Sequence, residues 1–527
     1  MADEAKQLGL HFDQLSQSEW YVWMDNHVLG MDEFLHRKHL KKNGLTAPEA
    51  VIEGVSQLPE RQEILVDFDD TLWLTNSTEQ FIELAARSVV VAIVLQIMDM
   101  LKPWRWLHGS KGKHYRDLYR VRCGLWLNPM AKRQWQQQAK SLVDQYLNQP
   151  LYQTLMRHKG KVFVVSYGFD FVLQPILDEI NLGSNLLVSS NLTTAAQLRM
   201  SGKAAAASAL IGSKRVTHGA CVTDSKMDKD LLLQCQDAWL CQWPESVEIR
   251  AGMSPMLPFV YLKKVKRPTE SYFTRAILGH DYLTLILAFA LINPYPLYTA
   301  VALFGFVIAY FTAYEIGYFE NDNLGAKFEE KPKISKEFSL FGQGFRPSFA
   351  WFFTLLLTAP PAWLAAQGPS FIPGYFQLEG AAAFGAVYLV FISFVLAVRA
   401  VFAWFNRLTE KGRLIPMLLL QLGRNGGYLL IFATSTVGAL FIVTCTLSKW
   451  IPYVAYRFGA DRKGMPEHLI NGLMFAVLVS LLWGQGALTL AELTSAPSLV
   501  ILAYLGLRAL IQLWKYKHYF QLLVPRR

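Results

Sequence analysis

The sequence predicts a cytoplasmic α/β domain with a parallel sheet, followed by an all-α membrane domain. The chain has 527 residues, which is more than one ordinary domain needs. Up to about residue 270, short apolar runs alternate with charged segments, as in soluble α/β domains; beyond it, long apolar stretches repeat, as in membrane proteins. We therefore divide the chain into an N-terminal helical extension at 1–60, an α/β domain at 61–255 and a membrane domain at 270–527.

Three segments of the first half share one order, an apolar strand, a polar strand end and an amphipathic helix. They begin with "EILVDFDD", "GKVFVVS" and "GACVTD". Strands that alternate with helices favour a parallel, doubly wound sheet of the Rossmann type, with a polar turn at 166–168 after the second strand. Ligands of such sheets bind beyond the carboxyl ends of the strands. The candidate residues at these ends are Asp67, Asp69, Ser166, Asp224 and Asp228.

The crowded carboxylates at the end of the first strand predict a cation site with phosphoryl chemistry. Like charges repel one another unless a cation screens them, and carboxylate oxygens suit Mg²⁺. An aspartate beside Mg²⁺ can attack phosphorus and form an aspartyl-phosphate. A second aspartate two residues later lies on the same face of an extended strand end and can act as acid and then base. A hydroxyl and a lysine would hold the transferring phosphoryl group.

Three motifs resemble those of the haloacid dehalogenase superfamily of phosphatases. "DFDDT", "VFVVS" and "VTDSKMD" are similar to its first, second and fourth motifs, over roughly residues 62–250. The resemblance implies that Asp67 is the nucleophile, Asp69 the acid and base, and Ser166 a phosphate ligand. It also implies that Asp67 and Asp224 hold Mg²⁺ with the Asp69 backbone carbonyl, and that Asp228 supports them. A degenerate, inactive relative is the alternative.

The third motif of that superfamily is a lysine, for which the chain offers two candidates. Lys203 opens a helix before the last strand of the three, as that motif usually does, and is favoured. Lys214 is the alternative. Whichever of the two lysines is not the third-motif residue is expected to be solvated.

About ninety residues between the first two motifs, at about 78–158, predict a helical cap. Its "VVVAIVLQIMDML" segment, 89–101, is apolar but too short to span a bilayer. The following "KPWRWLHGSKGKHYRDLYRVR" has seven Lys or Arg, one Asp and interleaved Trp and Tyr. Together they are typical of an element that lies in the membrane interface, which would suit a lipid-borne phosphate substrate. An ordinary cap core with a solvated basic face is the alternative.

The apolar pattern of the second half predicts about eight membrane spans. The fifth is short, so it would either merge with the neighbouring span or form a re-entrant segment. The spans lie at roughly 275–292, 297–316, 347–366, 380–404, 413–423, 428–447, 467–487 and 497–514. Lys and Arg cluster in alternate connections, whereas the opposite loops "NPYP", "QGPSFIPGYFQLEG" and "ALTLAELTSAP" contain none. By the positive-inside rule, both termini and the α/β domain face the cytoplasm, with the spans in the inner (cytoplasmic) membrane.

Charge and cysteine content exclude several classes of protein. The net charge of +10 arises mostly from the connections between spans, and no motif for nucleic acid accompanies it. The five cysteines are scattered and form no CxxC pair, so neither a zinc site nor a disulfide framework is expected.

The end of the second span, "YEIGYFENDNLGAKFEEKPKIS", resembles the loop between spans two and three of UbiA-type prenyltransferases. Asn321 and Asp322 match the start of that family's NDxxDxxxD motif. Gly325 stands at its middle acidic position and Glu329 at its last, while Lys333 belongs to a basic segment with proline that follows.

Two later segments extend this resemblance. "VFAWFNRLTEKGRLIPMLLLQLGR", which ends at Arg424, is similar to the family's basic stretch into span five. "KWIPYVAYRFGADRKG", with Tyr453, Arg457 and Asp461, occupies the place of its second aspartate motif without the DxxxD pattern.

The two resemblances imply a bifunctional membrane enzyme. UbiA-type proteins move a group from a Mg²⁺-bound diphosphate to an acceptor, and the decaprenyl-phosphate phosphoribosyltransferase branch makes a lipid-linked sugar with a 5-phosphate. A phosphatase on the same chain would remove that phosphate close to where it forms. The expected cofactor is Mg²⁺, and the expected partners are a polyprenyl phosphate lipid and a phosphorylated sugar or diphosphate donor. The alternatives are a phosphatase whose membrane domain only anchors it and presents the lipid, and a carrier or channel with a regulatory domain.

Overall fold

The chain forms two compact units, 1–253 and 254–527. The computed structural model describes 45–329, 332, 334–367, 377–460 and 465–516. Most of the predicted N-terminal extension, 1–44, lies outside the described residues, and the remainder includes the helix Pro48–Ser56.

The first unit contains a five-stranded parallel sheet, which confirms the predicted sheet. Its strands are β1 Ile64–Asp67, β2 Val162–Phe169, β3 Leu186–Ser190, β4 Ala220–Thr223 and β5 Asp237–Leu240. The spatial order is β3-β2-β1-β4-β5, with every neighbouring pair parallel. Because the chain leaves β1 toward β2 and later returns to its other side as β4, the strand order reverses at β1. The carboxyl ends of β1 and β4 therefore flank a topological switch point, the usual place for a ligand.

Apolar side chains cover both faces of the sheet. Ile64 and Val66 join a large core with the helices between β1 and β2, whereas Leu65 joins a smaller core on the opposite face with Ala207 and Val216. Burial on both faces explains why β1 reads as a continuous apolar run instead of an alternating one. The polar residues begin only where β1 ends.

Helices fill the connections, including the stretch at about 78–158 for which a helical cap was predicted. Among the described residues of the first unit, the α-helices are Pro48–Ser56, Ser77–Ala85, Val89–Leu101, Pro103–His108, Arg116–Leu127, Ala131–Tyr146, Gln149–Arg157, Asp170–Glu179, Ala195–Ser201, Lys203–Ile211, Ser213–His218 and Lys229–Gln234. One detail differs from the prediction, because the polar stretch at 166–168 continues β2 instead of forming a turn. The register of β2 against β3 shifts there, and the Ser166 hydroxyl accepts a hydrogen bond from the Gly168 amide at 2.9 Å.

The regular structure of the second unit, where the chain is described, consists of helices. Its main α-helices are Pro296–Phe328, Lys336–Phe341, Pro347–Ala366, Gly380–Asn406, Leu414–Gly426, Thr436–Arg457, Glu467–Gly484, Leu490–Leu493 and Ala496–Lys515. Among the described residues, six helices are long and apolar enough to cross a membrane: Pro296–Gly325, Pro347–Ala366, Gly380–Asn406, Thr436–Arg457, Glu467–Gly484 and Ala496–Lys515.

The expected count of about eight spans is not confirmed. The first predicted span, roughly 275–292, is wound in π-type turns at Phe273–Tyr282 and Ile286–Ala290, with only a short α-helix at Leu283–Leu285 between them. The fifth is the helix Leu414–Gly426, whose 13 residues are too few to cross a bilayer. Both segments were predicted as spans from apolar composition alone. The winding of the first and the short length of the second distinguish them from the six helices that can cross a membrane.

Close helix packing in the second unit depends on glycine. Gly317 on the helix Pro296–Phe328 faces the ring of Phe402 on the helix Gly380–Asn406. A Cβ atom at Gly317 would lie 2.0 Å from the Phe402 Cδ1 atom, so only glycine allows this approach. Small residues at helix contacts are typical of membrane helix packing.

Candidate active site and membrane-domain cavity

A buried lysine joins two aspartates at the carboxyl end of the central strand. Lys203 Nζ lies 2.7 Å from Asp67 Oδ1 and 2.7 Å from Asp228 Oδ2. Asp67 ends β1, Asp228 lies just after β4, and Lys203 opens the helix Lys203–Ile211. All three side chains are buried, so the ammonium group compensates carboxylates that water cannot reach.

The environment of this cluster controls its protonation. Burial raises the pKa of Asp67 well above its ordinary value, and the charge of Lys203 only partly opposes this. Burial alone would lower the pKa of Lys203, but the charges of Asp228 and Asp67 outweigh it and raise that pKa. The lysine therefore stays charged at neutral pH, as a group that holds a phosphoryl oxygen must.

The other predicted lysine lies away from this cluster. Lys214 is exposed on the short helix Ser213–His218, and none of its described contacts is with the clustered aspartates. Of the two candidates, the structure brings only Lys203 to Asp67.

Threonine hydroxyls hold the aspartates in position. Thr223, the last residue of β4, donates to Asp67 Oδ2 at 3.1 Å and contacts Asp228 Oδ2 at 2.7 Å. Thr71 Oγ1 accepts a hydrogen bond from the Asp224 amide at 3.0 Å and donates to Asp224 Oδ1 at 3.2 Å. Both threonines are fully buried. The final residue of "DFDDT" thus links the first acidic segment to the third.

Asp69 has the properties of an acid and base. Its Oδ1 atom accepts a hydrogen bond from the Ser77 amide at 2.6 Å. Burial raises its pKa to about 6, against the lowering effect of Ser77. A carboxyl group with a pKa near the working pH can both give and take a proton.

Ser166 and Tyr167 flank the cluster from β2. Val165 is the register partner of Asp67, so Ser166 follows directly after the position beside the nucleophile candidate. Its side chain is buried. Lys203 Nζ lies 4.9 Å from the centroid of the Tyr167 ring, a cation–π distance. Sequence reasoning placed Tyr167 only in the polar stretch at 166–168 and assigned it no role in the site.

The acidic groups of this cluster meet the needs of Mg²⁺ only in part. Among the described residues, no group of three or more Asp, Glu, His or Cys side chains is arranged to hold a metal ion. Two features nevertheless suit a hard cation that keeps most of its water, as Mg²⁺ does. The Asp228 Oδ1 atom is buried without a hydrogen-bond partner in the described part of the chain. Burial and the charge of Asp70 raise the pKa of Asp224 to about 7, and the Thr71 hydrogen bond and the charge of Lys203 offset this only in part, so a cation beside Asp224 would be favourable. The residues thus fit an ion held by few protein ligands.

The membrane unit contains a large polar cavity. Its volume is about 1410 Å³, and six basic side chains, three acidic side chains and five tyrosines are among its lining residues. Five of the predicted membrane-domain residues line it together, namely Asn321, Glu329, Arg424, Tyr453 and Arg457. Lys333 and Asp461, which were also predicted, lie outside the described residues.

Asp322 has a different position from the one its motif predicts. It is buried and is not among the residues that line the cavity. Its Oδ2 atom accepts a hydrogen bond from the Tyr261 hydroxyl at 2.6 Å, and its Oδ1 atom lies 2.5 Å from Lys266 Nζ. Both carboxylate oxygens are therefore engaged by protein donors.

Glu329 and Asn321 are likewise engaged within the protein. Glu329 forms an ion pair with the buried Arg413, and its Oε1 atom accepts from Asn321 Nδ2 at 3.2 Å. Asn321 Nδ2 also donates to Asn406 Oδ1 at 3.2 Å. The acidic groups expected to hold a metal–diphosphate are thus paired with cations and amides, and Gly325 supplies no carboxylate between them.

A buried ion cluster completes this region. Asp281 pairs with Arg424 and, at 3.0 Å, with Lys449, and Arg424 also donates to the Tyr272 hydroxyl at 3.2 Å. Arg457 differs from these cations, because among the described residues its partner is the Tyr453 hydroxyl, at 2.9 Å, and no carboxylate. Sequence reasoning missed Asp281, Lys449 and Lys266. An aspartate inside an apolar stretch was the available signal.

Comparison with known proteins found no family model, no curated protein and no solved structure that matches the chain. The fold and the sites define its class. It is a two-unit protein with a parallel α/β unit, which carries an aspartate–lysine cluster at its switch point, and a unit with six helices long and apolar enough to cross a membrane.

Proposed function

We propose that the α/β unit is a Mg²⁺-dependent phosphatase that forms an aspartyl-phosphate and acts on a phosphorylated lipid or lipid-linked sugar. The observation that carries this proposal is the position of Lys203 between Asp67 and Asp228 at the carboxyl end of the central strand. Buried carboxylates with a paired lysine at a switch point are the groups that phosphoryl transfer through an aspartate requires.

The chemistry follows from the roles of the chain's own residues. An Asp67 oxygen attacks phosphorus while the bond from phosphorus to the leaving oxygen breaks, and Asp69 gives its proton to that oxygen. Asp69 then takes a proton from water, which attacks phosphorus, breaks the bond to Asp67 and releases phosphate. Ser166 and Lys203 hold the phosphoryl oxygens throughout. Asp67, the Asp69 backbone carbonyl and Asp224 would hold Mg²⁺, with Asp228 in support, and the ion would neutralise charge on the phosphoryl group.

The membrane unit has two candidate roles. The first is to anchor the phosphatase in the cytoplasmic membrane and present a lipid such as polyprenyl phosphate. Its basic cavity supports this role, because Arg457 has no carboxylate partner among the described residues and can pair with a lipid phosphate. The basic connections support a cytoplasmic position for the phosphatase unit and both termini.

The second role is transfer of a phosphoribosyl or prenyl group to polyprenyl phosphate, which would make the chain bifunctional. It is favoured by one observation, that five of the predicted residues, from three helices and the end of one of them, line a single cavity large enough for two substrates. The pairing of Asp322 with Lys266 and of Glu329 with Arg413 weighs against a metal–diphosphate at the predicted motif.

The phosphatase proposal is tested with the Asp67→Asn variant of the full chain in detergent. Phosphate release from a soluble phosphomonoester with Mg²⁺ should fall to background, because an amide is a poor nucleophile, whereas the exposed control Asp144→Asn should keep its rate. Mass spectrometry of lipids that co-purify with Asp67→Asn should show a phosphorylated lipid that the unsubstituted protein lacks. Full activity of Asp67→Asn would refute the aspartyl-phosphate route.

The two membrane roles are separated with polyprenyl phosphate and phosphoribosyl diphosphate as substrates. Formation of a lipid-linked sugar, and its loss in Asp322→Ala, would support transfer. Absence of that product from a protein with full phosphatase activity would leave the anchoring and lipid-presenting role.

A further inference from the structure

The helix Val89–Leu101 is apolar on its inward and its outward face. Val91 and Leu95 belong to the core of the first unit. Val90, Ile97 and Leu101 are spaced by seven and four residues, which places them on one outward face, and all three are exposed, Val90 by 62%. The polar side chains of the helix, Gln96 and Asp99, contact Gly252 and Arg120 of the same unit. A helix that is otherwise apolar on all sides normally lies inside a protein or a membrane. This one is covered on one side only.

The segment that follows continues the exposed apolar surface and adds basic groups. Trp106 and Leu107, on the helix Pro103–His108, are 72% and 67% exposed. The basic residues Arg105, Lys111 and Lys113 are also exposed, and the stretch 100–113 contains no acidic residue. Aromatic and basic side chains beside an apolar helix are the usual anchors of an interfacial segment.

The proposed catalytic cluster uses none of these side chains, so another contact must account for them. An apolar patch of this kind on a soluble domain marks a binding surface. The same chain contains six helices long and apolar enough to cross a membrane, so the first unit is tethered to any bilayer that holds them.

We propose that the segment 89–113 lies in the interface of a bilayer that contains anionic phospholipids. The apolar outward face would enter the acyl boundary, Trp106 would lie at the level of the head groups, and Lys111 and Lys113 would contact lipid phosphates. The helix Val89–Leu101 has 13 residues, about 20 Å at 1.5 Å per residue, so it lies along the surface and does not cross. This inference stands on exposure and charge, and it holds whether or not the first unit is a phosphatase.

The test measures contact with lipid at single labelled positions of the full chain in nanodiscs. The half-buried Cys123 is replaced by Ser, and the other cysteines are buried. An environment-sensitive fluorophore is attached at Val90→Cys, at Trp106→Cys or at the control Leu210→Cys. Leu210 is 62% exposed, as Val90 is, but it lies on the helix Lys203–Ile211. Near-ultraviolet circular dichroism of each variant checks that the fold is retained.

With phosphatidylglycerol and spin-labelled lipid present, the fluorophores at Val90→Cys and Trp106→Cys should be blue-shifted and quenched several times more strongly than the one at Leu210→Cys. Zwitterionic nanodiscs, or the Lys111→Gln and Lys113→Gln substitutions together, should reduce that quenching.

Equal quenching at all three positions would overturn the proposal. So would fluorophores that are shielded equally in detergent and in nanodiscs, because a protein partner or a second copy would then cover the face. Quenching that is the same in zwitterionic and anionic nanodiscs would overturn the role of anionic lipid.

Discussion

Replacement of Lys203 by methionine is the sharpest test of the aspartate–lysine cluster. Methionine has similar length and volume but no charge, so Lys203→Met removes the ammonium group that lies 2.7 Å from both Asp67 and Asp228 without opening a cavity. Two buried carboxylates then face each other without compensation. The matched control is Lys214→Met, which changes an exposed lysine of the same unit.

The size of the effect follows from the burial of the cluster. Removal of one partner from a buried ion pair costs about 3–5 kcal/mol, because the remaining charge is left without water or counter-ion. In the variant, the pKa of Asp67 should rise further, because the charge of Lys203 that lowers it is gone. The loss of stability should therefore be largest at alkaline pH and shrink as the pH falls and the carboxylates are neutralised. Added Mg²⁺ should restore part of the stability by replacing the lost positive charge.

Hydrogen exchange measured by mass spectrometry on peptides from β1 and β4 reports this loss in the full chain. A loss of about 3 kcal/mol corresponds to at least about 100-fold faster exchange of these strands at pH 8. Phosphate release should fall by about 10²- to 10³-fold, as when a charge-stabilising group is removed from an active site. The reasoning is refuted if exchange and phosphate release are unchanged in Lys203→Met, or if Lys214→Met has equal effects.

Two further predictions concern the metal site and the helix packing. Because burial and the charge of Asp70 raise the pKa of Asp224 to about 7, the proton on that carboxyl competes with Mg²⁺, and the apparent Kd for Mg²⁺ should be about tenfold higher at pH 6 than at pH 8 in titration calorimetry. A Kd that does not change over this range would exclude Asp224 as a ligand. Gly317→Ala would place a methyl group against the Phe402 ring and should destabilise the second unit by about 1–3 kcal/mol, whereas Gly385→Ala, whose Cβ meets no neighbouring atom within 4 Å, should not. Thermal unfolding of the two variants in detergent checks this, and equal midpoints would contradict the packing argument.

Local patterns allowed the sheet and its polar ends to be predicted. The apolar runs before Asp67, Ser166 and Asp224 have the length and composition of buried parallel strands, and the polar residues follow directly after them. The carboxyl ends of parallel strands meet at one edge of a sheet, so strand assignment alone was enough to place these side chains near one another. The winding at 273–290 was not predictable in this way, because hydropathy reports composition and not the hydrogen-bond register of a helix.

The sequence by itself determined that the chain has a parallel α/β part and an apolar helical part, because strand periodicity and long apolar runs are properties of neighbouring residues. Only the tertiary structure decided that Lys203 and not Lys214 lies between Asp67 and Asp228, and that Asp322 is engaged by Lys266 and Tyr261. These pairings join residues that are far apart in the chain: Lys203 and Asp228 are 25 positions apart, Asp322 and Tyr261 are 61 apart, and Lys203 and Asp67 are 136 apart. The charge environment of a buried group depends on which distant segments pack around it, and no local pattern carries that information.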